Sequence, residues 1–357
     1  MSEDTFYYDY ALRAVERLTD AETPLYLSQS RVLSYRSCPM KVAFSISGWR
    51  RRRLGIALHF GDAVDKGTLN PDADRRLDGK ELFREIWDAE EVFDRSGLPQ
   101  EVDPGAPKGE NSRRNLTIAG DNRVQDYREK MDSEEEDGRE VVNIQHDFAV
   151  KDPVDPDSGD LDLDMSNVVL VGTRDLLENV PIQEIDSIAP AITDVKTGQA
   201  WGKEFFQLMF YTLTHLYETG ELIEYVGNVF LSKSMNPKEP VVRRFYPIPD
   251  KKQKLDETLL VDTYLNVKDV ARDIRSGRFR REPTSCHEWG KTCQYHALCF
   301  PQYYEDPDAT VAEDLFNIID EKGLNPDEYY EKLAIRVRET GSKENDGNDE
   351  NGESSGS

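Results

Sequence analysis

Two apolar segments that each run into a carboxylate constrain the fold of this 357-residue chain more than any other feature. Residues 168–172 read Val-Val-Leu-Val-Gly and are followed shortly by Asp175, and residues 191–193 read Ala-Ile-Thr and are followed at once by Asp194. Lys196 comes two residues after Asp194, so the two side chains share one face of an extended strand. The pattern predicts two buried strands that bring two acids and one ammonium group together.

Other periodic segments surround these two strands. Alternating apolar residues predict a strand over residues 142–150 and a hairpin that joins 225–233 to 241–245. Helical spacing predicts helices over residues 9–18, 54–69, 78–93, 118–131, 204–219, 255–276, 312–319 and 326–337, whereas 96–115 and 132–139 have the composition of loops. An α/β protein is expected, with a polar lead-in at 1–25, a helical insertion at about 70–140, C-terminal helices at 304–340 and a disordered acidic tail at 341–357.

The net charge of −25, from 45 basic and 70 acidic residues, argues against a protein that coats nucleic acid, because phosphate binding draws on Lys and Arg. A local basic channel remains compatible with this charge, and basic residues cluster at 50–53 and 272–281. No segment has the ~18 consecutive apolar residues of a membrane span. The acidic, aromatic N-terminus lacks the pattern of a signal peptide, so the cytoplasm is the expected location and no membrane partner is expected.

The acids and the lysine of the two strands suit phosphodiester chemistry. Mg²⁺ and Mn²⁺ prefer oxygen ligands, which Asp175 and Asp194 would supply, and Lys196 would position or deprotonate a water molecule beside them. Gln207 and Tyr211 lie four residues apart on the next helix and would face the same region. The alternative is an ordinary strand edge with a surface ion pair, followed by a helix that packs Tyr211 into the core.

Four cysteines form the second chemical signal: Cys38, Cys286, Cys293 and Cys299. Three of them lie close together near the C-terminus, and cytoplasmic proteins rarely use cysteines for disulfides. Four thiolates match a [4Fe–4S] cluster or a zinc site. Zinc is the less expected occupant, because the paired C-x2-C spacing of zinc sites is missing.

The order Gly172-x-x-Asp175, Asp194-Val195-Lys196 and Gln207-x-x-x-Tyr211 resembles the PD-(D/E)XK nuclease superfamily, in its RecB-like branch. The arrangement of one cysteine near the start, Cys38, and three near the end is similar to that in its iron–sulfur members, among them CRISPR-associated RecB-like and AddB-type nucleases. The resemblance spans residues 26–303. It implies a restriction-endonuclease-like core, a central mixed sheet flanked by helices, with a helical N-terminal part and an iron–sulfur-stapled C-terminal segment.

The resemblance also implies roles for individual residues. Asp175 and Asp194 would bind the metal, Val195 would add its backbone carbonyl, and Lys196 would be the catalytic lysine. Gln207 and Tyr211 would contact DNA near the site. The four cysteines would hold a [4Fe–4S] cluster that joins the two ends of the domain.

A third metal ligand remains open between two residues. The family has a histidine on an early helix, often as Gly-x-x-x-His, which the stretch from Gly55 to His59 matches. The Phe-Gly pair at 60–61 fits the flanking pattern better and places Asp65 at the ligand position. The two side chains lie about 240° apart around a helix and cannot both face one metal ion; Asp65 is slightly favoured.

A metal-dependent deoxyribonuclease is therefore expected, with DNA single strands or DNA ends as substrate and an exonuclease mode of action. The resemblance implies recombination, repair, phage or CRISPR-related DNA processing, with protein partners in such a complex. The alternative is a non-catalytic iron–sulfur DNA-binding or scaffold protein that retains the nuclease fold, and the charge of −25 gives this alternative some weight.

Overall fold

The computed structural model describes residues 6–69, 79–93, 99–103, 112–182, 187–198, 205–248, 257–290, 292–323, 325 and 327–346. The helices are α1 Phe6–Glu16, α2 Gln29–Ser37, α3 Pro39–Ile46, α4 Ile56–Leu69, α5 Gly79–Trp87, α6 Arg113–Glu136, α7 Phe205–Thr219, α8 Glu257–Arg275, α9 His296–Cys299, α10 Pro307–Asp314, α11 Ile318–Lys322 and α12 Glu328–Asp346. The strands are β1 Leu25–Leu27, β2 Trp49–Arg51, β3 Arg53–Leu54, β4 Glu91–Phe93, β5 Pro99–Val102, β6 Glu140–Lys151, β7 Val168–Ile182, β8 Ser187–Thr197, β9 Tyr225–Leu231, β10 Val241–Pro247 and β11 Leu315–Asn317.

A six-stranded mixed sheet forms the centre of the fold. Its order is β1-β7-β8-β9-β10, and β6 pairs with β7 as well. β1 runs parallel to β7 and β8 runs parallel to β9, whereas the other pairs are antiparallel. β6 follows one side of β7. On the other side, β1 pairs with residues 168–170 and β8 with residues 176–182, so residues 171–175 lie in a gap between the two partners among the described strands.

Helices cover both faces of this sheet. Strand residues such as Ile192 and Val226 pack with α2, α3, α7 and α8 in the larger core. Val195 and Val229 point to the opposite face and pack with α4, α5 and α6. Since successive side chains of a strand alternate between faces, residues of one strand contribute to both cores. This layering is the mixed, helix-flanked sheet that the sequence predicts.

Local sequence signals account for several helix ends. The Ser28 hydroxyl accepts a hydrogen bond from the Arg31 N–H at 3.3 Å and caps α2, and Pro39 occupies the first turn of α3, where its missing N–H costs nothing. The Asp306 carboxylate caps α10 in the same way, at 2.9 Å from the Ala309 N–H. Gly220 follows α7 with a φ of +75°, a conformation that favours glycine.

The predicted hairpin is confirmed as β9 and β10, whereas the prediction of a turn or loop over 132–139 is wrong for residues 132–136. α6 continues through this acidic block to Glu136, and the turn follows at Asp137 and Gly138. Ion pairs to Lys130 and Arg243 hold Glu134, and Arg139 pairs with Glu135. Because these cations offset the repulsion between neighbouring acids, the helix extends further than composition indicates.

Further boundaries differ from the predictions, among them that of the predicted helix 78–93, which ends at Trp87 and is followed by β4. The segment 96–115 contains β5, which pairs with β3 and β4. The predicted helix 312–319 is instead the end of α10, then β11 paired with β2, then α11. α12 extends to Asp346, into the segment expected to be disordered, and residues 347–357 lie outside the described residues. Within the part of the chain that the structure describes, no helix is long and apolar enough to cross a membrane.

Candidate functional site

The predicted acids meet where β7 and β8 separate. The last register pair of the two strands is Leu176 with Thr193, and Asp175 and Asp194 are the next residue on each strand. The two strands diverge from this point, but the Val195 N–H still donates a hydrogen bond to the Asp175 carboxylate at 2.9 Å. We call this place, with Asp65, Asp175, Asp194 and Lys196, the acidic fork.

Side-chain hydrogen bonds join the β8 residues of the fork to α7. The Lys196 ammonium lies 3.0 Å from the Asp194 carboxylate and donates to the Gln207 amide oxygen at 2.9 Å. The Gln207 amide nitrogen donates to the other Asp194 oxygen at 2.7 Å. The side chain of Asp194 is 3% exposed and that of Lys196 is 35% exposed. Gln207 thus orients both the acid and the lysine, and the ammonium stays accessible to a ligand.

Tyr211 completes this polar face of α7. Its hydroxyl accepts a hydrogen bond from the Gln207 amide nitrogen at 2.9 Å, as the spacing of four residues predicts. Tyr211 is itself 8% exposed, and its ring packs edge-on against Phe148. The motif residues therefore contact the fork from within the protein.

Of the two candidates for the third acid position, Asp65 faces the fork. Burial raises the pKa of Asp65 well above its usual range, and the neighbouring carboxylates of Asp175 and Asp194 raise it further. His59 is fully buried on another side of α4, where its ring stacks on Trp87 with centroids 5.0 Å apart and its Nε2 lies 3.0 Å from the Trp87 carbonyl. Helix geometry separates the two side chains, as the sequence indicates.

The donor chemistry of the fork fits a divalent cation. Three carboxylates within electrostatic reach of one another repel, and a hard cation such as Mg²⁺ would relieve that repulsion. In the described residues, however, no three His, Cys, Asp or Glu side chains are arranged as a ready-made metal site. Asp175 bonds a backbone amide and Asp194 bonds Lys196 and Gln207.

The four cysteines are brought into one neighbourhood from both ends of the chain. Cys38 joins α2 to α3, Cys286 lies in the 3-10 segment Pro283–Gly290, and Cys299 ends α9. The Cys293 N–H donates to the Cys286 carbonyl at 2.7 Å, and all four thiols are free of disulfides. Burial raises the pKa of the Cys299 thiol, and the nearby cysteines add to this effect. The set supplies thiols of the kind that a cluster requires, although it also lacks a ready-made arrangement among the described residues.

The arginines of the basic run at 50–53 make different contacts. Arg50 donates to the Ser45 carbonyl, Arg52 donates to the Ala312 carbonyl, and Arg53 pairs with Glu101 at 3.2 Å. These three residues hold the chain together at the surface. The Arg51 side chain is left facing a cavity.

Basic residues of the run at 272–281 also make contacts within the protein. Arg275 donates to the carbonyls of Leu18 and Thr23 at 2.9 Å and 2.8 Å, and Arg281 lies over the Tyr8 ring at 4.2 Å. These contacts tie α8 and the following segment to the N-terminal part of the chain.

Two residues near the fork were not found by sequence reasoning. Gln145 lies opposite Asp175 in the β6–β7 pairing and has a φ of +48°, which a non-glycine residue rarely adopts. Lys233 follows β9, and its ammonium lies 5.8 Å from the Phe60 ring and close to Gly198 at the end of β8. Burial lowers the pKa of Lys233. Neither residue belongs to a sequence motif, so no local signal marks them.

The fold is thus a mixed sheet flanked by helices, with acids and a lysine where the two strands β7 and β8 separate. The family model of the PD-(D/E)XK nuclease superfamily matches residues 26–300, and the chain belongs to this superfamily. No curated protein sequence matches the chain. Membership suggests a nuclease, a hydrolase with DNA as the implied substrate, and such nucleases usually use Mg²⁺ or Mn²⁺.

Proposed function

We propose that the chain is a Mg²⁺- or Mn²⁺-dependent deoxyribonuclease whose active site is the acidic fork. The observation that supports this most is the meeting of Asp65, Asp175, Asp194 and Lys196 where β7 and β8 separate. Asp175 and Asp194 would hold the metal together with the Val195 carbonyl, and Asp65 rather than His59 would be the third ligand. When bound, the metal supplies a Lewis acid and lowers the pKa of a water molecule.

Lys196 is proposed as the catalytic lysine. Its bonds to Asp194 and Gln207 fix the ammonium beside the position that a phosphate would take between the acids. From there it offsets the charge that develops on the phosphoryl oxygens and can exchange a proton with the attacking water.

Gln207 is proposed to act through orientation more than through direct DNA contact. Its amide binds Lys196 with its oxygen and Asp194 with its nitrogen, so one planar group sets the distance between the two. The Tyr211 hydroxyl accepts a hydrogen bond from the amide nitrogen and so helps to hold the amide in place. Preorganised groups of this kind lower the barrier because they need not reorient during the reaction.

We further propose that residues 26–303 form a RecB-like nuclease domain that removes nucleotides from single strands or DNA ends. Recombination, repair, phage or CRISPR-related DNA processing in the cytoplasm, with protein partners, would follow from that branch of the superfamily. The region at about 70–140 would be a helical insertion within this domain.

The test of the nuclease function uses DNA labelled at the 5′ or the 3′ end, as single strand and as duplex, with Mg²⁺, with Mn²⁺ and with a chelator. Cleavage that requires metal and is lost in Lys196→Ala supports the proposal. Lys332→Ala is a matched control, because Lys332 is 71% exposed and pairs only locally with Glu328. Metal-dependent cleavage that persists in Lys196→Ala would assign the activity to another site or a contaminant.

The mode of action is read from the same samples. Resistance of circular single strands together with cleavage of linear ones supports an exonuclease. The label that is released first gives the polarity. Cleavage of circles as fast as linear strands would show an endonuclease instead.

The four cysteines are proposed to hold a [4Fe–4S] cluster, with zinc as the alternative occupant. A brown protein that absorbs near about 400 nm and contains iron and sulfide would support the cluster. A colourless, zinc-loaded protein would contradict it. Because Cys38 lies near the start of the domain and the others near its end, the role of the cluster would be to join the two ends.

One observation favours a second candidate function, a non-catalytic DNA-binding or scaffold protein. Among the described residues the acids form no ready-made metal site, and Asp194 is held by Lys196 and Gln207. Such a protein would bind DNA equally well before and after Asp194→Ala and would cleave it in neither case.

A further inference from the structure

A cavity of about 470 Å³ lies between α2, α3, β2 and the segment that carries Cys293. The first residues of α12 close it through Tyr330. Its volume is in the range of about 300–1,000 Å³ that is usual for pockets that bind small ligands or single groups of a larger one. The cavity is separate from the acidic fork, since none of the fork residues lines it.

The lining of this cavity has a composition unlike that of the whole chain. Three cations line it, Arg31, Lys41 and Arg51, together with four serines and a threonine, whereas no Asp or Glu does so in the part of the chain that the structure describes. The chain as a whole has 70 acidic and 45 basic residues. A cavity with cations and hydroxyl donors but no carboxylate is suited to an anion, and phosphate is the anion that Arg, Lys and hydroxyl groups commonly bind.

The three cations are not equivalent. The Arg31 guanidinium donates to Asp327 at 2.9 Å and to the Tyr26 carbonyl at 2.6 Å. Its charge is therefore neutralised, and its contacts stabilise the fold. The Lys41 ammonium donates to the Ser37 hydroxyl at 2.9 Å. Arg51 is exposed, and its guanidinium forms no ion pair among the described residues. Arg51 is therefore the group that gains most from a bound anion.

The position of the cavity relates it to the fork. β1 pairs with β7 up to Leu170, and α2 starts two residues after β1 ends, at the gap in the edge of β7 that leads to Asp175. Five residues of extended strand separate Leu170 from Asp175, which is about 17 Å. A nucleic-acid strand that runs from the fork along this part of β7, towards the end of β1 where α2 begins, covers that length with a few nucleotides.

We infer that this cavity binds a backbone phosphate of the DNA strand that is held at the acidic fork, a few nucleotides away from the bond that is cut. Arg51 pairs with the phosphate, and the serine hydroxyls donate to its oxygens. The inference rests on the proposed nuclease function, which it extends with a second contact point for the substrate strand.

The test measures binding of a fluorescent single strand of about 12 nucleotides, a length within the usual range of single-strand binding sites. All variants carry Lys196→Ala in the full-length chain, so that the strand is not cut. Arg51→Gln is compared with Arg53→Gln, a matched control that removes the same charge two residues away, where Arg53 pairs with Glu101 and does not line this cavity. Arg51→Lys keeps the charge.

We expect Arg51→Gln to weaken binding by about fivefold to tenfold, and to reduce the slope of log K against log salt by about 0.7, the value for one contact to a single-strand phosphate. Arg53→Gln should stay within about twofold of the parent and Arg51→Lys should keep the parent's slope. Equal binding and equal slopes for Arg51→Gln and its parent would overturn the inference.

A second variant guards against an indirect effect through the cysteines, because Cys293 also lines the cavity. Ser34→Asp places a negative charge on the α2 wall, and it should weaken binding as Arg51→Gln does while the metal content and absorbance of the protein stay unchanged. If Arg51→Gln alters the metal content and Ser34→Asp leaves binding intact, Arg51 serves the cysteine segment and the inference fails.

Titrations with inorganic phosphate and with a nucleoside monophosphate distinguish a small free phosphate ligand from a phosphate of the DNA backbone. Each is titrated by calorimetry into the parent and into Arg51→Gln. If a small phosphate binds the parent tightly and loses affinity in Arg51→Gln, while strand binding is unaffected, the cavity belongs to a free ligand and the inference is overturned. A lack of cleavage by the wild-type chain would refute the nuclease function alone, since these binding data do not depend on cleavage.

Discussion

The acidic fork and the cysteine segment are built in opposite ways. At the fork, Asp194 and Lys196 of the long strand β8 are fixed by side-chain bonds through Gln207. The cysteines instead lie on a 3-10 segment, in the connection after it, on a helix of four residues and at a helix junction. Between Cys286 and Cys293 a backbone bond of 2.7 Å is formed.

This difference indicates which of the two sites needs a bound group for its stability. The ladder of β7 and β8 places the acids without any ligand, so a metal at the fork would serve chemistry more than folding. Short turns contribute few cooperative hydrogen bonds, so we expect the cysteine segment to gain much of its stability from the proposed group that bridges its thiols. The following substitutions test this contrast, beginning with the largest expected effect.

Asp65→Asn should abolish most activity and leave the fold intact. The substitution removes a proposed metal ligand, and we expect single-turnover cleavage to fall by at least about 100-fold. Because it also removes one of three crowded carboxylates, the metal-free protein should unfold at an unchanged or higher temperature.

His59→Gln is the matched comparison on the same helix. It should lower the free energy of unfolding by about 1–3 kcal/mol through the lost packing on Trp87, while the metal concentration that gives half-maximal cleavage stays the same. A large rise in that concentration for His59→Gln, and none for Asp65→Asn, would reverse the assignment of the third ligand.

Cys299→Ser should mainly lower the stability of the fold. Loss of one thiolate from a four-thiolate site should release the bound group, and we expect a loss of several kcal/mol in the free energy of unfolding. Denaturant titration measures this loss, and metal analysis of the same sample reports the release. An unchanged transition midpoint after Cys299→Ser would show that the segment is held without a bound group.

Gln207→Leu should reduce the cleavage rate by about tenfold to 100-fold, the usual effect of losing a group that orients metal ligands or catalytic residues. Tyr211→Phe removes a single bond to the Gln207 amide and should have a smaller effect. If Gln207 contacts DNA instead, the substitution will weaken binding of the strand and leave the rate at saturating DNA unchanged.

The smallest expected effect concerns the pH dependence of stability and His215 on α7. Burial, together with the nearby charges of Arg174 and His146, lowers the pKa of His215 to about 4. Since the unfolded chain takes up a proton near the ordinary value of about 6.5, the neutral buried ring stabilises the fold above that pH. This contribution is lost as the pH falls from about 6.5 towards 4.

His215→Gln should therefore flatten the decrease of unfolding free energy over that range of pH. Denaturant midpoints at pH 7, 6, 5 and 4 provide the measurement. Parallel pH profiles for the variant and the wild type would show that other groups cause the acid sensitivity.

The sequence was sufficient for the parts of the fold that depend on local pattern. The strands that carry Asp175 and Asp194 follow from their apolar runs, and the joint orientation of Gln207 and Tyr211 follows from helical spacing. These features depend on residues that are neighbours in the chain, so periodicity reveals them.

Features that depend on distant partners could not be predicted. α6 continues through its acidic block because Arg243, more than a hundred residues later, pairs with Glu134. The choice between Asp65 and His59 depends on which side of α4 packs against Trp87. Contacts made in the folded state likewise engage the side chains of Arg50, Arg52 and Arg53, whereas Arg51 faces a cavity.

The pairing of β1 with β7 has a consequence for how this protein is made. β1 ends at Leu27, whereas its partner strand begins at Val168, so β1 leaves the ribosome well before the strand with which it pairs. Non-local pairing of this kind slows folding and leaves apolar residues exposed meanwhile. Leu25 and Leu27, both fully buried in the finished fold, therefore stay exposed on the growing chain until β7 has emerged.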